Sequence, residues 1–300
     1  MSLLNNLKIG VIGGSKGLGS WLVRYLGAYA AEVRFTSTDD LTQFHDNQSL
    51  VAWADVVFLA VPIPHMLPVM TEIYPHLSGK VLVEVCSVKK FLIEGFERLQ
   101  QTHPEVAVEF LSIHPMFSQS IRQLKGQVIL FTHSANDKDF AAALRTQFAH
   151  DKAQLYDMDY LRHDQIMGVV QGLNHFNVFA SASTLTRMSG QLGHIKDFSS
   201  PPYRIFLIFF SRYILQDPRL YADIQMYNEF VPETLRIFRQ EVDRLYELIL
   251  KKDRDGFIEY AQQARAYFEE NQEDTGISNH LIEQLGVYLN KLKNQRPDSL

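Results

Sequence analysis

The hydrophobic pattern of the chain changes about halfway along its length. In the first half, short apolar runs alternate with longer amphipathic stretches, which indicates strands and helices in turn. Near-continuous apolar runs such as DVVFLAV are typical of strands that are buried on both faces of a parallel sheet. We therefore predict strands over residues 8–12, 32–36, 56–61, 81–85, 108–113 and 128–131.

The second half has helical spacing almost throughout. The pattern predicts long helices over residues 160–189, 202–215, 220–250 and 255–271, with few β-rich runs between them. The change falls near Asp157. We expect an α/β fold in which a doubly wound, mainly parallel sheet (residues 1–157) is followed by an all-helical domain (residues 158–300).

Composition and charge limit the partners that the protein can have. A chain of 300 residues with 46% hydrophobic content is long enough for two cores. A net charge of -5 gives no basic field for nucleic acid or an anionic membrane, and the longest strongly apolar run, 205–210, is far shorter than a membrane span. The single cysteine, Cys86, excludes an internal disulfide and a thiolate-rich zinc site, so we expect a cytoplasmic protein without a metal site.

A glycine-rich turn, IGVIGGSKGLG at residues 9–19, follows the first predicted strand. It fits the dinucleotide pattern G-x-G-x-x-G with Lys16 in place of the middle glycine. It also fits the G-x3-G-x-G loop of the short-chain dehydrogenases. Those enzymes also need a Tyr-x-x-x-Lys pair, and none of the 13 tyrosines here has a lysine four residues later. In either pattern, backbone N–H groups and a helix N-terminus face a phosphate. The residues predicted to hold the cofactor here are Gly13, Gly14, Ser15, Lys16, Gly17, Leu18 and Gly19.

Two more segments are predicted to contact the same cofactor. Val61 and Pro62 follow the third strand, at the sheet edge that faces the nicotinamide half of a dinucleotide. Ser37 follows the second strand, where an enzyme that prefers NAD usually has an acid. Lys16 and the hydroxyl groups of Ser37 and Thr38 favour NADP. Against this, Asp39 and Asp40 would repel a 2′-phosphate if they point inward, or could bind the ribose themselves. We expect an NAD(P) cofactor, with NADP favoured.

Polar side chains follow the fourth and fifth predicted strands. Ser87 and Lys89 lie in the segment CSVKK, and His114 lies in SIHPMF. Ligands of open α/β sheets bind at the carboxyl ends of the strands, and histidine exchanges a proton readily near neutral pH. His114 is therefore the candidate acid–base group, with a purely structural histidine as the alternative.

The helical half carries two histidines and two arginines of interest. His163 and His175 lie about 120° apart around one helix and roughly 18 Å apart along it, which is too far to share a metal. Arg204 and Arg212 bracket the apolar run IFLIFF. An arginine beside a buried apolar helix needs an anion, either a protein carboxylate or a bound substrate.

Taken together, these motifs resemble the prephenate and arogenate dehydrogenase family of tyrosine biosynthesis. The matching segments, in family order, are IGGSKGLG, ADVVFLAVPI, VEVCSVKK, SIHPMF, HDQIMGVVQGLNHF, SSPPYRIFLIFFSR and QDPRLYADI. Several of them are far more specific than a glycine turn. The resemblance implies a Rossmann-type cofactor domain, a helical domain that forms a homodimer and, without a chorismate mutase segment, a monofunctional enzyme.

The resemblance also implies roles for individual residues. His114 would hydrogen-bond the ring hydroxyl of the substrate and take its proton, Ser87 would support that contact, and Lys89 would be a nearby cation. In the helical domain, His175 would help to hold the substrate and Arg212 would bind one of its carboxylates.

The identity of the substrate stays open at this point. The main interpretation is NAD(P)-dependent oxidative decarboxylation of prephenate to 4-hydroxyphenylpyruvate. The alternatives are the same reaction on arogenate or an amino-substituted prephenate, and a non-catalytic NAD(P)-binding regulator, although a regulator needs only the glycine turn. Ser118 and Gln119 stand where the family commonly has glycine, and His163 matches a family position for which we expect a structural role.

Overall fold

The computed structural model describes residues 4–133, 139–192, 195–269 and 273–294. The chain divides into two compact units. The first unit comprises Met1–Gln171 and Arg219–Val231, and the second comprises Gly172–Pro218 and Pro232–Leu300. By packing, the start of the helical half therefore belongs with the sheet, and the domain bounds 1–157 and 158–300 stay a prediction.

The first unit contains one seven-stranded sheet in the order β2-β1-β3-β4-β5-β6-β7. The strands are β1 (Lys8–Ile12), β2 (Glu32–Thr36), β3 (Val56–Leu59), β4 (Val81–Glu84), β5 (Glu109–Pro115), β6 (Val128–His133) and β7 (Gln154–Asp157). All neighbouring pairs are parallel except β5 and β6. The predicted fold class, a mainly parallel α/β sheet followed by helices, is confirmed. Strand β7 escaped prediction because QLYD is short and lies mostly exposed at the edge of the sheet.

Helices connect the strands and make up the rest of the chain. They are α1 (Gly17–Leu26), α2 (Asn47–Trp53), α3 (Ile63–Ile73), α4 (Lys90–Thr102), α5 (Asp139–His150), α6 (Tyr160–Met167), α7 (Asn174–Leu192), α8 (Pro201–Ile214), α9 (Pro218–Tyr227), α10 (Val231–Lys251), α11 (Arg254–Phe268) and α12 (Glu273–Asn294). A π-helical segment, Gly168–Leu173, joins α6 to α7. No helix among the described residues is long and apolar enough to cross a membrane.

The sheet of the first unit is covered on both faces. Along β3, Val57 and Leu59 pack with α2, α3 and α4, whereas Val56 and Phe58 pack with α1 and α5 on the opposite face. All four side chains are at most 1% exposed. Because successive strand residues point to opposite faces, only a run that is apolar throughout fills both layers, and each such side chain contributes about 1.5–3 kcal/mol. The apolar sheet thereby holds the strand ends, and the side chains that follow them, in fixed positions.

The second unit is built from helices α7, α8, α10, α11 and α12. Helices α7 and α8 pack together, and α12 contacts α8. Helix α8 was predicted to be buried because of its run IFLIFF, and this prediction is wrong for the single chain: Phe206 is 58% exposed and Phe209 is 52% exposed. Within the described part of the chain, α8 packs against α7 and α12, and these contacts bury none of its residues.

The predicted helix over residues 220–250 is also wrong, because the structure has two helices there. The break lies between α9 and α10, where the side-chain oxygen of Asn228 accepts a hydrogen bond from the backbone N–H of Phe230. This local contact replaces the helical bond and turns the chain. Helix α12 was not predicted at all, because its segment contains glycines and has only a weak apolar stripe.

Candidate active site

The glycine turn after β1 is fixed by close backbone contacts. The N–H groups of Gly13 and Gly14 both donate to the carbonyl of Thr36, at 2.9 and 3.1 Å, which ties the turn to the end of β2. A Cβ atom at Gly19 would lie 2.1 Å from the carbonyl oxygen of Gly13. Gly13 itself has a φ of 88°. Glycine is therefore required at both positions for α1 to begin this close to β1.

The N-terminus of α1 has the properties of a phosphate site. The residue before the helix, Lys16, makes no side-chain capping bond, and the first turn contains no acid. A Cβ atom at Gly17 would meet only the side-chain oxygen of Gln119, at 3.5 Å. The predicted residues Gly17, Leu18 and Gly19 thus offer backbone N–H groups at the positive end of a helix. This arrangement fits the pyrophosphate of a dinucleotide.

The second predicted cofactor segment lies beside this turn. The Cγ1 atom of Val61 is 3.1 Å from the place that a Cβ of Gly13 would occupy. Pro62 caps the N-terminus of α3. The structure therefore brings Val61 to the glycine turn, at the carboxyl end of β3.

The third predicted segment forms a cluster around one carboxylate. The Ser37 hydroxyl donates to Oδ1 of Asp39 at 2.6 Å, and Nζ of Lys16 lies 3.2 Å from Oδ2. Ser15 also bonds to Asp39. Hydrogen bonds from Ser37 and then Ser15 lower the pKa of Asp39 to about 2. Lys16 and Ser37, which the sequence suggested as contacts for a 2′-phosphate, are thus already bonded to the carboxylate of Asp39.

A chain of buried side chains begins at His114, near the carboxyl end of β5. Its Nδ1 lies 2.8 Å from Nε2 of His163, and Nδ1 of His163 lies 2.8 Å from Oδ1 of Asp164. All three side chains are buried. Burial, followed by the proximity of His163 and Lys89, lowers the pKa of His114 well below its ordinary value. His114 is therefore a neutral base at neutral pH.

Asp164 is held by the backbone of the loop after β4. Its Oδ2 accepts the N–H of Lys90 at 2.9 Å, and its Oδ1 accepts the N–H of Lys89 at 3.0 Å. These N–H groups belong to the first turn of α4, so Asp164 acts as a cap supplied from α6. The side-chain amide of Asn228 donates to the backbone carbonyl of Asp164 at 2.8 Å. The carboxylate of Asp164 is therefore held by two backbone N–H groups and the ring of His163, and Asn228 holds the backbone of the same residue.

The other ring nitrogen of His114 faces a glutamine. Nε2 of His114 lies 3.4 Å from Nε2 of Gln171, and Oε1 of Gln171 is buried without a hydrogen-bond partner among the described residues. Gln171 lies in the π-helical segment Gly168–Leu173. Such segments occur frequently at functional sites. A buried amide oxygen without a partner suits a hydroxyl donor on a ligand.

Lys89 lies deeper in the unit than the sequence suggested. Its Nζ donates to Oε1 of Glu84 and to the carbonyl of Ile113, both at 2.7 Å, and both charged side chains are 0% exposed. Ser112 also bonds to Oε1 of Glu84. The ammonium group therefore makes its hydrogen bonds within the sheet, and it acts on His114 through its charge. Ser87 lies half-buried in the same loop, and it is not one of the two described hydrogen-bond partners of His114.

The two predicted residues of the helical half lie in the second unit. His175 is buried at the start of α7, and its ring packs against Tyr213 with a centroid distance of 5.2 Å. Burial lowers the pKa of His175 to about 4. Arg212 precedes Tyr213 in the last turn of α8 and is exposed. His175 and the end of α8 are therefore neighbours within this unit.

Sequence reasoning missed three of these residues. For His163 the sequence indicated only a structural role, and Asp164 was not singled out. His163 contacts His114, which is 49 positions away, and Asp164 accepts the N–H groups of Lys89 and Lys90, which are 75 and 74 positions away. No spacing rule reveals such distant contacts. Gln171 was not considered. The one signal in the sequence was the adjacent pair His163 and Asp164 in a helical segment. Two polar side chains on a helix that faces a core are expected to bond to other polar groups.

Within the described ranges, no group of three or more His, Cys, Asp or Glu side chains is arranged to hold a metal ion. The site therefore consists of a glycine turn open to a phosphate and a buried histidine chain, both at the carboxyl ends of one parallel sheet. These features define the class: a nucleotide-binding domain of Rossmann type that carries a buried histidine near a strand end, followed by a helical domain.

Known proteins identify the family. Residues 30–157 match the nucleotide-binding domain of prephenate dehydrogenase, and residues 160–263 match its dimerization domain. The chain belongs to the prephenate dehydrogenase family.

Individual relatives agree with this assignment. A probable arogenate/prephenate dehydrogenase of Methanocaldococcus jannaschii is 31% identical over 88% of this chain, which spans 61% of that protein. The T-protein of Haemophilus influenzae is 29% identical over 87% of this chain, which spans 67% of that protein. The chain thus covers only about three fifths to two thirds of these two relatives.

A solved structure shares the fold. The prephenate dehydrogenase of A. aeolicus, crystallised with hydroxyphenyl propionate and NAD+, superposes with a TM-score of 0.68 at 19% identity. The match covers 90% of this chain and 100% of that one. At this identity the likeness concerns the fold alone.

Proposed function

We propose that the protein oxidatively decarboxylates prephenate to 4-hydroxyphenylpyruvate with a nicotinamide cofactor. The observation that carries the proposal is the state of His114: its Nδ1 is bonded to His163, and its Nε2 has only the long 3.4 Å contact with Gln171. A buried neutral histidine with one available nitrogen, on the sheet that bears the glycine turn, has the properties of a base for a substrate hydroxyl.

The chemistry requires little from the protein beyond a base and correct alignment. Prephenate is a cyclohexadiene with a hydroxyl group at one end of the ring and a carboxylate at the other. When hydride leaves the hydroxyl-bearing carbon, the carboxylate can leave as CO2 and the ring becomes aromatic. A nicotinamide cofactor, held by the glycine turn from Gly13 to Gly19, would supply the hydride acceptor when bound. Nε2 of His114 takes the hydroxyl proton and returns it to the phenolic oxygen as CO2 departs.

The remaining predicted residues are assigned to substrate contacts. We assign Ser87 to the hydroxyl end of the substrate, because it lies in the loop whose backbone holds Asp164. Lys89 is a positioning residue, since its ammonium is bonded to Glu84. We assign His175 and Arg212 to the substrate and its carboxylate, supported by the exposure of Arg212 and its position next to Tyr213, which packs on His175.

For the cofactor we propose NAD rather than the NADP that the sequence favoured. Lys16 and Ser37 were expected to bind a 2′-phosphate, but both are bonded to the carboxylate of Asp39. That carboxylate would repel a second anion, whereas it suits the hydroxyl groups of an unphosphorylated ribose. The glycine turn from Gly13 to Gly19 holds the pyrophosphate in either case.

We also propose that the protein forms a homodimer through the second unit. Phe206 and Phe209 of α8 are more than half exposed, as are many apolar side chains of α10 and α12. Apolar surface of this extent marks an interface. Sedimentation equilibrium at micromolar concentration tests this: we expect a dimer, and a clean 34.5 kDa species would contradict it.

The function itself is tested by spectrophotometry. Prephenate and arogenate are each supplied with NAD and with NADP, and the appearance of the reduced nicotinamide is followed. We expect turnover of prephenate with NAD. Turnover of arogenate alone would move the assignment to that substrate, and cofactor binding without any turnover would indicate a regulator.

A further inference from the structure

The hydrogen-bond chain that ends at His114 has a fixed direction. A carboxylate only accepts hydrogen bonds, so the 2.8 Å contact with Asp164 requires a hydrogen on Nδ1 of His163. A neutral imidazole carries one hydrogen, so Nε2 of His163 must accept. The 2.8 Å contact with His114 therefore requires the hydrogen of His114 to be on Nδ1. Nε2 of His114 is left without one.

We propose that Asp164 is a positioning residue that sets the tautomer of His114 through His163 and so leaves Nε2 of His114 as the proton acceptor. The proposal rests on the proposed function, in which that nitrogen receives the proton of the substrate hydroxyl. It assigns to the pair His163 and Asp164 a part in the reaction, although neither touches the substrate.

The surroundings of Asp164 keep this direction from reversing. Its carboxylate accepts the backbone N–H groups of Lys89 and Lys90 and lies at the N-terminal end of α4, where the helix dipole stabilises a negative charge. Asn228 holds its backbone. His163 and Asp164 are buried, so water does not compete for their hydrogen bonds.

The same hydrogen-bond chain is compatible with a protonated His114. When Nε2 of His114 receives a proton, the hydrogens on Nδ1 of both rings stay where they are, and both hydrogen bonds persist. The new positive charge is then connected through His163 to the anion of Asp164. No donor or acceptor has to turn during the reaction, which is the condition for electrostatic preorganisation.

The substitution Asp164→Asn tests the direction of the chain. The N–H groups of Lys89 and Lys90 would hold the amide oxygen, so the amide nitrogen would donate to Nδ1 of His163. The hydrogen of His163 would move to Nε2, and that of His114 would also move to Nε2. The base is lost without any change of shape, and we expect turnover to fall by about 10²- to 10⁴-fold, as for other bases held in the wrong tautomer.

The tautomer is read directly by ¹⁵N NMR of histidine-labelled full-length protein, without substrate. In the unsubstituted protein we expect the hydrogen of His114 on Nδ1, and in Asp164→Asn we expect it on Nε2. Asn228→Ala is the matched control, because it loosens the backbone of Asp164 but keeps its carboxylate. It is expected to lower stability and to leave the tautomer of His114 unchanged.

Two results would overturn the proposal. One is a hydrogen on Nε2 of His114 in the unsubstituted protein, a measurement that does not depend on whether Asp164→Asn folds. The other is an Asp164→Asn variant that folds and retains both the Nδ1 tautomer and normal turnover. If the NMR result is as expected but prephenate is not turned over by the unsubstituted protein, the proposed function fails and the assignment of Asp164 to the tautomer stands.

Discussion

The two units of the molecule use the same kinds of side chain in opposite ways. In the first unit the apolar strand β3 is at most 1% exposed, and the ion pair of Glu84 with Lys89 is 0% exposed on both sides. In the second unit Phe206 and Phe209 of α8 are more than half exposed, and the ion pair of Glu233 with Arg236 is 60% and 54% exposed. The first unit completes its core within one chain, whereas the second unit leaves apolar side chains exposed to solvent in the single chain.

The difference suggests that the first unit holds its polar groups in fixed positions, whereas the second unit presents exposed side chains to other molecules. Groups whose protonation must be exact, such as His114 and Asp164, are fixed in a packed interior where each hydrogen bond has a defined direction. Arg212, which we propose to bind a substrate carboxylate, lies exposed on a helix of the second unit. The predictions below examine this division, starting with the largest effect.

The most severe loss of activity is expected from the first unit. His114→Asn keeps the size of the side chain but removes the base, so we expect turnover to fall by about 10²- to 10⁴-fold with cofactor affinity unchanged. Steady-state kinetics and cofactor titration measure the two quantities. Near-normal turnover in this variant would remove His114 from the mechanism.

The two ion pairs provide a direct contrast in stability. Lys89→Met leaves the carboxylate of Glu84 buried without its cation, and we expect the free energy of unfolding to fall by about 3–5 kcal/mol. Arg236→Met removes the corresponding cation of an exposed pair, and we expect little change. Urea denaturation of both variants tests the contrast, which fails if the two substitutions cost the same.

Substrate affinity is expected to depend on the second unit. Arg212→Ala removes a cation for a substrate carboxylate, so we expect KM for prephenate to rise roughly 10- to 100-fold, the effect of one charge-assisted hydrogen bond. Affinity for the cofactor stays the same because the glycine turn is untouched. Arg204→Ala serves as the control, and a KM defect in that variant with none in Arg212→Ala would reverse the assignment.

The second unit should also carry a specific dependence of stability on pH. Burial lowers the pKa of His175 to about 4, below its value in the unfolded chain. The unfolded state therefore binds a proton first, and stability present near neutral pH is lost as the pH falls from about 6.5 towards 4. We expect His175→Gln to weaken this dependence by about 1–2 kcal/mol between pH 7 and pH 5. Urea midpoints at the two pH values are the measurement, and equal slopes in both proteins would refute it.

The smallest effect concerns the choice of cofactor. Asp39→Asn removes the anion beside the ribose site but keeps the hydroxyl of Ser37 and the ammonium of Lys16. We expect the ratio of kcat/KM for NAD to that for NADP to fall on the order of tenfold. Lys16→Ala tests the opposite possibility: if it alone abolishes use of NADP, Lys16 binds the 2′-phosphate after all.

The sequence predicted the first unit better than the second for a physical reason. Strands β1 and β2 have the bounds that were predicted, because apolar runs that fill both sides of a sheet are unmistakable. The break after α9 depends on one side-chain contact of Asn228, which no periodicity encodes. Helix α12 lacked a clear stripe because its apolar residues are not buried within the chain.

How well the site could be predicted also depended on whether a residue's contacts are local or distant along the chain. Local patterns predicted the glycine turn and His114, since each follows directly from a strand and the edge at which it ends. The contact of His114 with His163 joins residues that are 49 positions apart. The pairing of Lys89 with Glu84 was hidden for another reason, because a lysine in a loop ordinarily points to solvent.

The position of Asp164 makes two local structures of the first unit depend on one side chain. One carboxylate both caps α4 and orders the hydrogens on His163. If the proposed part of Asp164 is correct, a substitution that removes its side-chain oxygens would disturb the start of α4 and the tautomer of His114 together.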